Sequence, residues 1–315
     1  MLEFNFIERS FMNEGLNVLS LFDGMSAGMI ALERAGIKVK NYFASEIDKH
    51  AIKVSKANYP NIIQLGDVTS VDVSTLPKID LLIGGSPCQG FSLAGKQIAF
   101  DDPRSKLYFE YERILKEFKL INPNIKFLLE NVKMKQEFKD VITERLGVSP
   151  VSINSKVVSA QSRGREYWTN IEFTLPEDRC IKVEDILDNY TGNTVSDTEV
   201  KLQLDVLLQT SKYSKNYSWC YDSTGRILVT RPDGLKIQRI GRIAFGQHQT
   251  EIVTCVTTPY VFDGETIRKV TPEECEKLQT VPVGYTSCVS DSQRYKMLGN
   301  GWTVDVIAHI FQGLK

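Results

Sequence analysis

The sequence predicts an α/β protein: a doubly wound, mostly parallel sheet accompanied by a second, smaller β-rich domain. Three observations lead there. Short apolar runs alternate with amphipathic segments through the first half of the chain, the pattern of strands joined by crossover helices. A glycine turn, Phe22-Asp23-Gly24-Met25-Ser26-Ala27-Gly28, follows the first run and opens a helical pattern, as at the ligand edge of an open sheet. After about Ile171 the rhythm changes to short β-like pieces rich in Thr, Ser, Gly and Tyr, which strand propensity and turn chemistry assign to a different architecture.

The elements follow in order. Val18-Leu19-Ser20-Leu21-Phe22 reads as the first strand, and Met29, Ile30, Leu32 and Glu33 carry the first helical pattern. Tyr42-Phe43-Ala44 is the second strand, a helix starts from Asp48, and a third apolar run precedes Gly66-Asp67-Val68. Leu81-Leu82-Ile83 and Phe127-Leu128-Leu129 give two more strands, separated by a long helix over residues 107–118. Continuous apolar runs of this kind mark strands covered on both faces. Pro176-Glu177-Asp178 reads as a linker, and residues 226–230 as one of several short strands beyond it. From Val270 helical patterning returns through Pro272-Glu273-Glu274-Cys275-Glu276-Lys277-Leu278, and a closing amphipathic helix covers residues 303–311. The expected domains are residues 16–175, residues 176–262, and a segment 263–315 that returns to the first domain.

Composition narrows the class. The chain has 315 residues, 42% of them apolar, and a formal charge of −1. Attraction to a polyanion must therefore come from a local cluster of Lys and Arg, not from net charge. Six cysteines, Cys88, Cys180, Cys220, Cys255, Cys275 and Cys288, lie far apart with no C-x-x-C pair, so no zinc site is expected and a reducing, cytoplasmic setting fits. The amino-terminal residues lack the apolar core of a signal peptide, and no run reaches the ~18 apolar residues of a membrane span.

Acidic groups mark the end of each early strand. Glu46 closes the second, where a carboxylate can bind ribose hydroxyls, and Asp67 follows the third, where it can accept from an adenine amino group. With the glycine turn they describe a nucleoside pocket; the plain alternative for each acid is a helix cap or a solvated surface group. Gly84-Gly85-Ser86-Pro87-Cys88-Gln89-Gly90 follows the fourth run, so Cys88 emerges in a loop at the same edge. The other five cysteines read as small buried hydrophobes. Only a thiolate attacks, and its addition to an electron-poor ring pushes electrons toward a ring nitrogen, which then needs a proton. Glu130, in Leu129-Glu130-Asn131-Val132, ends the next strand and can supply it as a carboxylic acid. Arg163 and Arg165, in Gln161-Ser162-Arg163-Gly164-Arg165, add guanidiniums that can hold a ring carbonyl and the thiol region.

Taken in order, these segments resemble the cytosine-C5 DNA methyltransferase family over nearly the whole chain outside residues 176–231. Phe22-Asp23-Gly24 with Gly28 is similar to its first cofactor motif, and Ser86-Pro87-Cys88-Gln89 to its Pro-Cys motif. Glu130-Asn131-Val132 resembles Glu-Asn-Val, residues 161–165 resemble Gln-x-Arg-x-Arg, and Leu298-Gly299-Asn300 resembles the final Gly-Asn motif. Ser26, Ser86 and Gly301-Trp302-Thr303-Val304 are similar to the animal de novo DNA methyltransferases, whereas Gln161 and Asn300 follow the bacterial pattern. The absence of an appended chromatin-reading module favours a bacterial or phage enzyme.

The resemblance implies a Rossmann-like, S-adenosylmethionine-dependent methyltransferase fold with a target-recognition domain at residues 176–262. It implies transfer of methyl from S-adenosyl-L-methionine to a flipped cytosine in duplex DNA, releasing S-adenosyl-L-homocysteine. The cofactor would meet Phe22, Asp23, Gly24, Met25, Ser26 and Gly28 at the first turn, with Phe22 stacking on adenine. Glu46 would hold the ribose beside Ile47, and Asp67 would read the adenine amino group beside Val68. Ser86, Pro87, Asn300 and Trp302 would close the methionine end. Residues 89–106 would be a lid over DNA, bringing Gln89, Lys96 and Arg104 to the duplex. Residues 226–242 hold five basic residues against one acid, so Arg239, Arg242 and the nearby Gln247 are expected to meet DNA; a solvated charged face is the plain alternative. The expected partners are double-stranded DNA and a cognate restriction endonuclease, with the protein a monomer on DNA. Alternatives are a transfer-RNA cytosine methyltransferase and a catalytically silent DNA-binding relative.

Overall fold

The computed structural model describes residues 15–87, 107–188, 218–221, 226–230, 236–244, 260–262 and 267–315. They fall into two compact units. The first comprises the described parts of Met1–Asn154 with Gly164–Pro176 and Gly301–Lys315; the second comprises Ser155–Arg163 and the described parts of Glu177–Asn300.

The first unit is built on a seven-stranded sheet. Its strands are β1 (Leu16–Leu21), β2 (Val39–Ser45), β3 (Ile63–Gln64), β4 (Leu81–Gly85), β5 (Lys126–Val132), β6 (Val151–Asn154) and β7 (Gly164–Thr169). They lie in the order β3-β2-β1-β4-β5-β7-β6. β1 to β5 are parallel, and β7 runs antiparallel to both β5 and β6. This is the doubly wound, mostly parallel sheet that the sequence predicts. The chain leaves β1 toward β2 and β3, then crosses back to β4 on the other side of β1. A crevice therefore opens beyond the carboxyl ends of β1 and β4, where such sheets take their ligands.

The described helices are α1 (Ala27–Ala35), α2 (Lys49–Asn58), α3 (Leu107–Ile121), α4 (Gln136–Leu146), α5 (Pro272–Leu278), α6 (Asp291–Asn300) and α7 (Val304–Phe311). Side chains alternate across a strand, and this decides what each face buries. Leu19, Leu21, Leu82, Phe127, Leu129 and Trp168 join Tyr108, Ile114 and Phe118 of α3 and Phe138 and Ile142 of α4 in one buried cluster. The alternate positions, Val18, Ile83, Leu128 and Glu130, look to the opposite face. There α1 packs on α7, and Gly28 lies against Ile83 and Tyr42. α7 buries Val304, Val306, Ile307, Ile310 and Phe311, each contributing about 1.5–3 kcal/mol.

Local signals set the helix ends. Asp48 caps α2, accepting from the amides of His50 and Ala51, and α1 stops at the left-handed Gly36. α3 continues three residues past the expected end at 118. Its last two, Leu120 and Ile121, are 87% and 51% exposed, so no apolar periodicity marks them. Cys275 is buried, as read from the sequence, and burial pushes its thiol up to about 12. Cys180 departs from that reading: it is exposed, on a left-handed turn (φ 54°) fixed by its amide donating to Asp178.

In the second unit β8 (Ser218–Tyr221), β9 (Arg226–Thr230) and β10 (Lys236–Ala244) are antiparallel. β11 (Tyr260–Phe262) pairs parallel with β10, and β12 (Ile267–Lys269) antiparallel with β11. α5 starts with a capping box between Thr271 and Glu274 and a proline in its first turn. Glu276, fully buried, accepts from the Gly284 and Thr286 amides and pairs with Arg294 of α6. A buried carboxylate satisfied this fully ties the turn after α5 to α6.

Candidate active site

The turn after β1 is shaped by its backbone. Phe22, Gly24 and Ser26 have φ of 58°, 61° and 63°. The Gly24 amide donates to Glu46 Oε2 at 2.7 Å, while Glu46 Oε1 accepts from the amides of Ile47 and Asp48 at 2.7 and 2.8 Å. One carboxylate thus joins the ends of β1 and β2. Ile47, beside it, is 74% exposed, an apolar surface left at the crevice rim. Asp67, exposed at the end of the next crossover, accepts at Oδ1 from the amide and hydroxyl of Thr69. Those two hydrogen bonds hold its carboxyl below the usual range, so it stands as an ionised acceptor.

Beneath the turn lies a buried polar cluster. Asp23 Oδ2 accepts from Ser26 Oγ at 2.5 Å and Oδ1 from the Tyr42 hydroxyl at 2.8 Å; Ser26 Oγ also lies 2.6 Å from Ser55 Oγ. Burial pushes the Asp23 carboxyl up to about 6, against the downward pull of its hydroxyl donors from Ser26, Ser20 and Tyr42. Ser26 stands in the left-handed region that favours glycine, at the start of α1. Its hydroxyl points to Asp23 instead of capping the helix, which accounts for a serine at a strained position. Sequence reasoning did not find Tyr42 or Ser55. Tyr42 sits in an apolar run and Ser55 in a helix read from its Asp48 start, and a polar group under a turn has no periodic signature.

The second half of the edge is built around β5. Glu130, 8% exposed, places Oε1 2.9 Å from Arg165 Nε and accepts at Oε2 from Trp302 Nε1 at 3.1 Å. Pairing makes this possible: Glu130 faces Gly85 of β4 on one side and Tyr167 of β7 on the other, and Arg165 lies two residues from Tyr167 on the same face. Gly85 is needed here, because a Cβ would stand 2.8 Å from Trp302 Nε1 and 3.0 Å from Glu130 Oε2. Asn131, one residue on, faces the other way and donates from Nδ2 to Ser86 Oγ at 2.9 Å. It fixes the strand end that leads through Pro87 to Cys88. The arrangement holds a carboxyl group, a guanidinium and an indole at the strand ends, beside the approach to a cysteine loop.

Gln161, Arg163 and Asn300 belong to the second unit. Arg163, buried in the second unit, donates from Nη2 to the Gly299 carbonyl at 3.0 Å. Gln161, also buried there, donates to the Leu278 carbonyl and to Gln279. Asn300 ends α6 as an exposed residue. Cys88, Gln89, Lys96, Arg104 and Gln247 lie outside the described residues, and Arg239 and Arg242 are placed only as backbone positions of β10. Among the described residues no group of three or more His, Cys, Asp or Glu could hold a metal ion, and no helix is long and apolar enough to cross a membrane.

The sequence pattern of the family described as C-5 cytosine-specific DNA methylase matches residues 16–315. The type II methyltransferase M1.ScrFI of Lactococcus lactis subsp. cremoris is 32% identical over 309 residues, covering 92% of this chain and 75% of its own. The type II methyltransferase M.NlaX of Neisseria lactamica is 30% identical over 327 residues, covering 95% and 96%. Among solved structures, the Entamoeba histolytica methyltransferase EhMeth superposes with a TM-score of 0.67 at 19% identity, covering 96% of this chain and 99% of the other. That likeness is one of fold.

Proposed function

The chain belongs to the C-5 cytosine-specific DNA methylase family, and from that premise we propose how its residues divide the reaction. The protein is a DNA (cytosine-5-)-methyltransferase, of the kind found in restriction–modification or orphan systems. Its family and fold imply S-adenosylmethionine as methyl donor, which when bound supplies an electrophilic methyl sulfonium. The donor set at the crevice fits that group. Ile47 and the partly buried Phe22 offer apolar surface for a base, and Glu46 and the ionised Asp67 offer acceptors for hydroxyl and amino hydrogens. Pro87 and Trp302 would hold its methionine end.

In this reading Cys88, as thiolate, forms a bond from sulfur to carbon 6 of a cytosine swung out of the duplex. Flipping costs a few kcal/mol, offset by contacts to the pocket and the backbone. Glu130, in its protonated form, delivers a proton to ring nitrogen 3, so the electron pair displaced from the carbon 5–carbon 6 double bond makes carbon 5 nucleophilic. After carbon 5 takes the methyl group, its proton passes to solvent, which restores the double bond and expels the thiolate, and the nitrogen 3 proton returns to the Glu130 carboxylate. Arg165 keeps Glu130 aimed while presenting its remaining donors to the cytosine carbonyl, and Arg163 braces the Gly299 turn. Lys96 and Arg104 are assigned to phosphates. Residues 176–262 are assigned to sequence recognition through Arg239, Arg242 and Gln247 on double-stranded DNA. The protein acts as a monomer on the duplex, with a cognate restriction endonuclease as its cellular counterpart.

The observation that carries this reading is the Glu130 carboxylate, held on Arg165 and Trp302 one strand away from the Ser86-Pro87 approach to Cys88. Duplex DNA containing 5-fluorocytosine tests it. Fluorine cannot leave as a cation, so a covalent protein–DNA adduct accumulates with the wild type and none forms with Cys88→Ala. Adduct formation by the alanine variant would refute the assignment of the nucleophile.

A further inference from the structure

Trp302 is expected at the methionine end of the cofactor, yet its only polar atom points elsewhere. Indole Nε1 donates to Glu130 Oε2 at 3.1 Å, and the ring edge stands over Gly85, with its opposite end beside Gly28 of α1. The two oxygens of Glu130 are therefore divided, Oε1 to Arg165 and Oε2 to Trp302. A carboxyl group on a Glu side chain turns freely about its last torsion. Two donors at roughly fixed points remove that freedom and decide which oxygen edge faces the crevice.

We propose that Trp302 is a positioning residue for Glu130, acting through its indole N–H, in addition to any packing it provides. The inference rests on the reading of Glu130 as the proton donor to nitrogen 3. It follows from the local geometry. Gly85 leaves room for the indole and the carboxylate to meet, and the indole N–H is aimed at Oε2. Because the far side of the ring lies at Gly28, in the first turn of α1 just after the glycine turn, one side chain ties the cofactor edge to the acid.

Trp302→Phe separates the two roles, since phenylalanine keeps an aromatic ring but has no N–H. The expected result is a fall in kcat of roughly tenfold or more with the KM for S-adenosylmethionine changed less than twofold. In a Glu130→Gln background the same substitution should add almost nothing, because the group it positions is already gone. A Phe variant with wild-type kcat, a raised KM alone, or an effect that multiplies independently with Glu130→Gln would overturn the proposal. Full activity of Glu130→Gln by itself would instead remove the proton-donor reading on which the proposal stands. Should Trp302→Phe fold poorly, the indole N–H resonance of Trp302 is followed in ¹⁵N-labelled wild type and Glu130→Gln. A clear shift and faster hydrogen exchange on losing the carboxylate support the contact, and an unmoved resonance overturns it.

Discussion

Arg165 Nε lies 2.9 Å from Glu130 Oε1, one guanidinium and one carboxylate meeting diagonally across the antiparallel pair β5–β7 with side-chain exposures of 15% and 11%. Charges this far from water stabilise each other only as a pair, and removing one leaves the other poorly solvated. Arg165→Ala should therefore lose about 2–4 kcal/mol of unfolding free energy as well as methyl transfer. Urea denaturation checks the first part; a loss under 1 kcal/mol would show that the pair is effectively solvated.

Asp23 gives a pH signature. Its carboxyl, raised to about 6 in the folded chain against 3.8 ordinarily, is neutral in both folded and unfolded states at low pH. Between these values the unfolded chain ionises first, so this group's contribution to stability declines as pH rises and levels off above about 6. The total is about 3 kcal/mol. Asp23→Asn should abolish that slope and be the more stable protein at pH 7 while matching wild type near pH 4. Parallel stability curves for the two proteins would contradict the assignment.

Ser26 tests the strained turn. Ser26→Gly relieves about 1 kcal/mol of left-handed strain and forfeits two buried hydroxyl contacts, to Asp23 and Ser55, each worth about 1 kcal/mol, so it should be less stable than wild type by about 1 kcal/mol. Ser26→Ala keeps the strain and loses the same contacts, and should be less stable than the glycine variant by about 1 kcal/mol. Equal melting temperatures would mean that the backbone at this position is not as described.

Asn131 is expected to act on the cysteine loop through Ser86. Asn131→Ala removes the donor to Ser86 Oγ and the acceptor for the Val132 amide, so adduct formation on 5-fluorocytosine DNA should slow by roughly tenfold or more. Cofactor affinity, measured by calorimetry, should hardly change. A wild-type adduct rate would leave Asn131 a purely structural residue.

Much of the first unit was legible because its signals are local. Fully apolar runs and a glycine turn located β1, β2, β4, β5 and α1, and Asp48 announced the start of α2. The pairing of β7 between β5 and β6 was not legible, since it depends on long-range register and not on propensity. At the site, Glu130 and Arg165 could be found from their positions at strand ends. Their meeting with Trp302 could not, because it joins residues 172 apart in sequence through a gap made by Gly85. Asp23 was legible in the glycine turn, but its partners Tyr42 and Ser55 were not, because each is a single polar residue with no pattern linking it to that turn.

For sequence recognition, Arg239→Ala and Arg242→Ala should weaken duplex binding or relax the choice of site, and each should flatten the salt dependence of binding if it meets a phosphate. Affinity for S-adenosylmethionine should stay within twofold of wild type. Unchanged DNA binding and selectivity in both variants would remove β10 from the recognition surface.

The most direct measurement is methyl transfer itself: purified protein, labelled S-adenosylmethionine and mixed-sequence duplex DNA, followed by bisulfite sequencing, with transfer RNA in a parallel reaction. The account predicts label at carbon 5 of cytosine in DNA, confined to a fixed sequence context and absent with Cys88→Ala. Label in the RNA alone, or in neither nucleic acid, would contradict it.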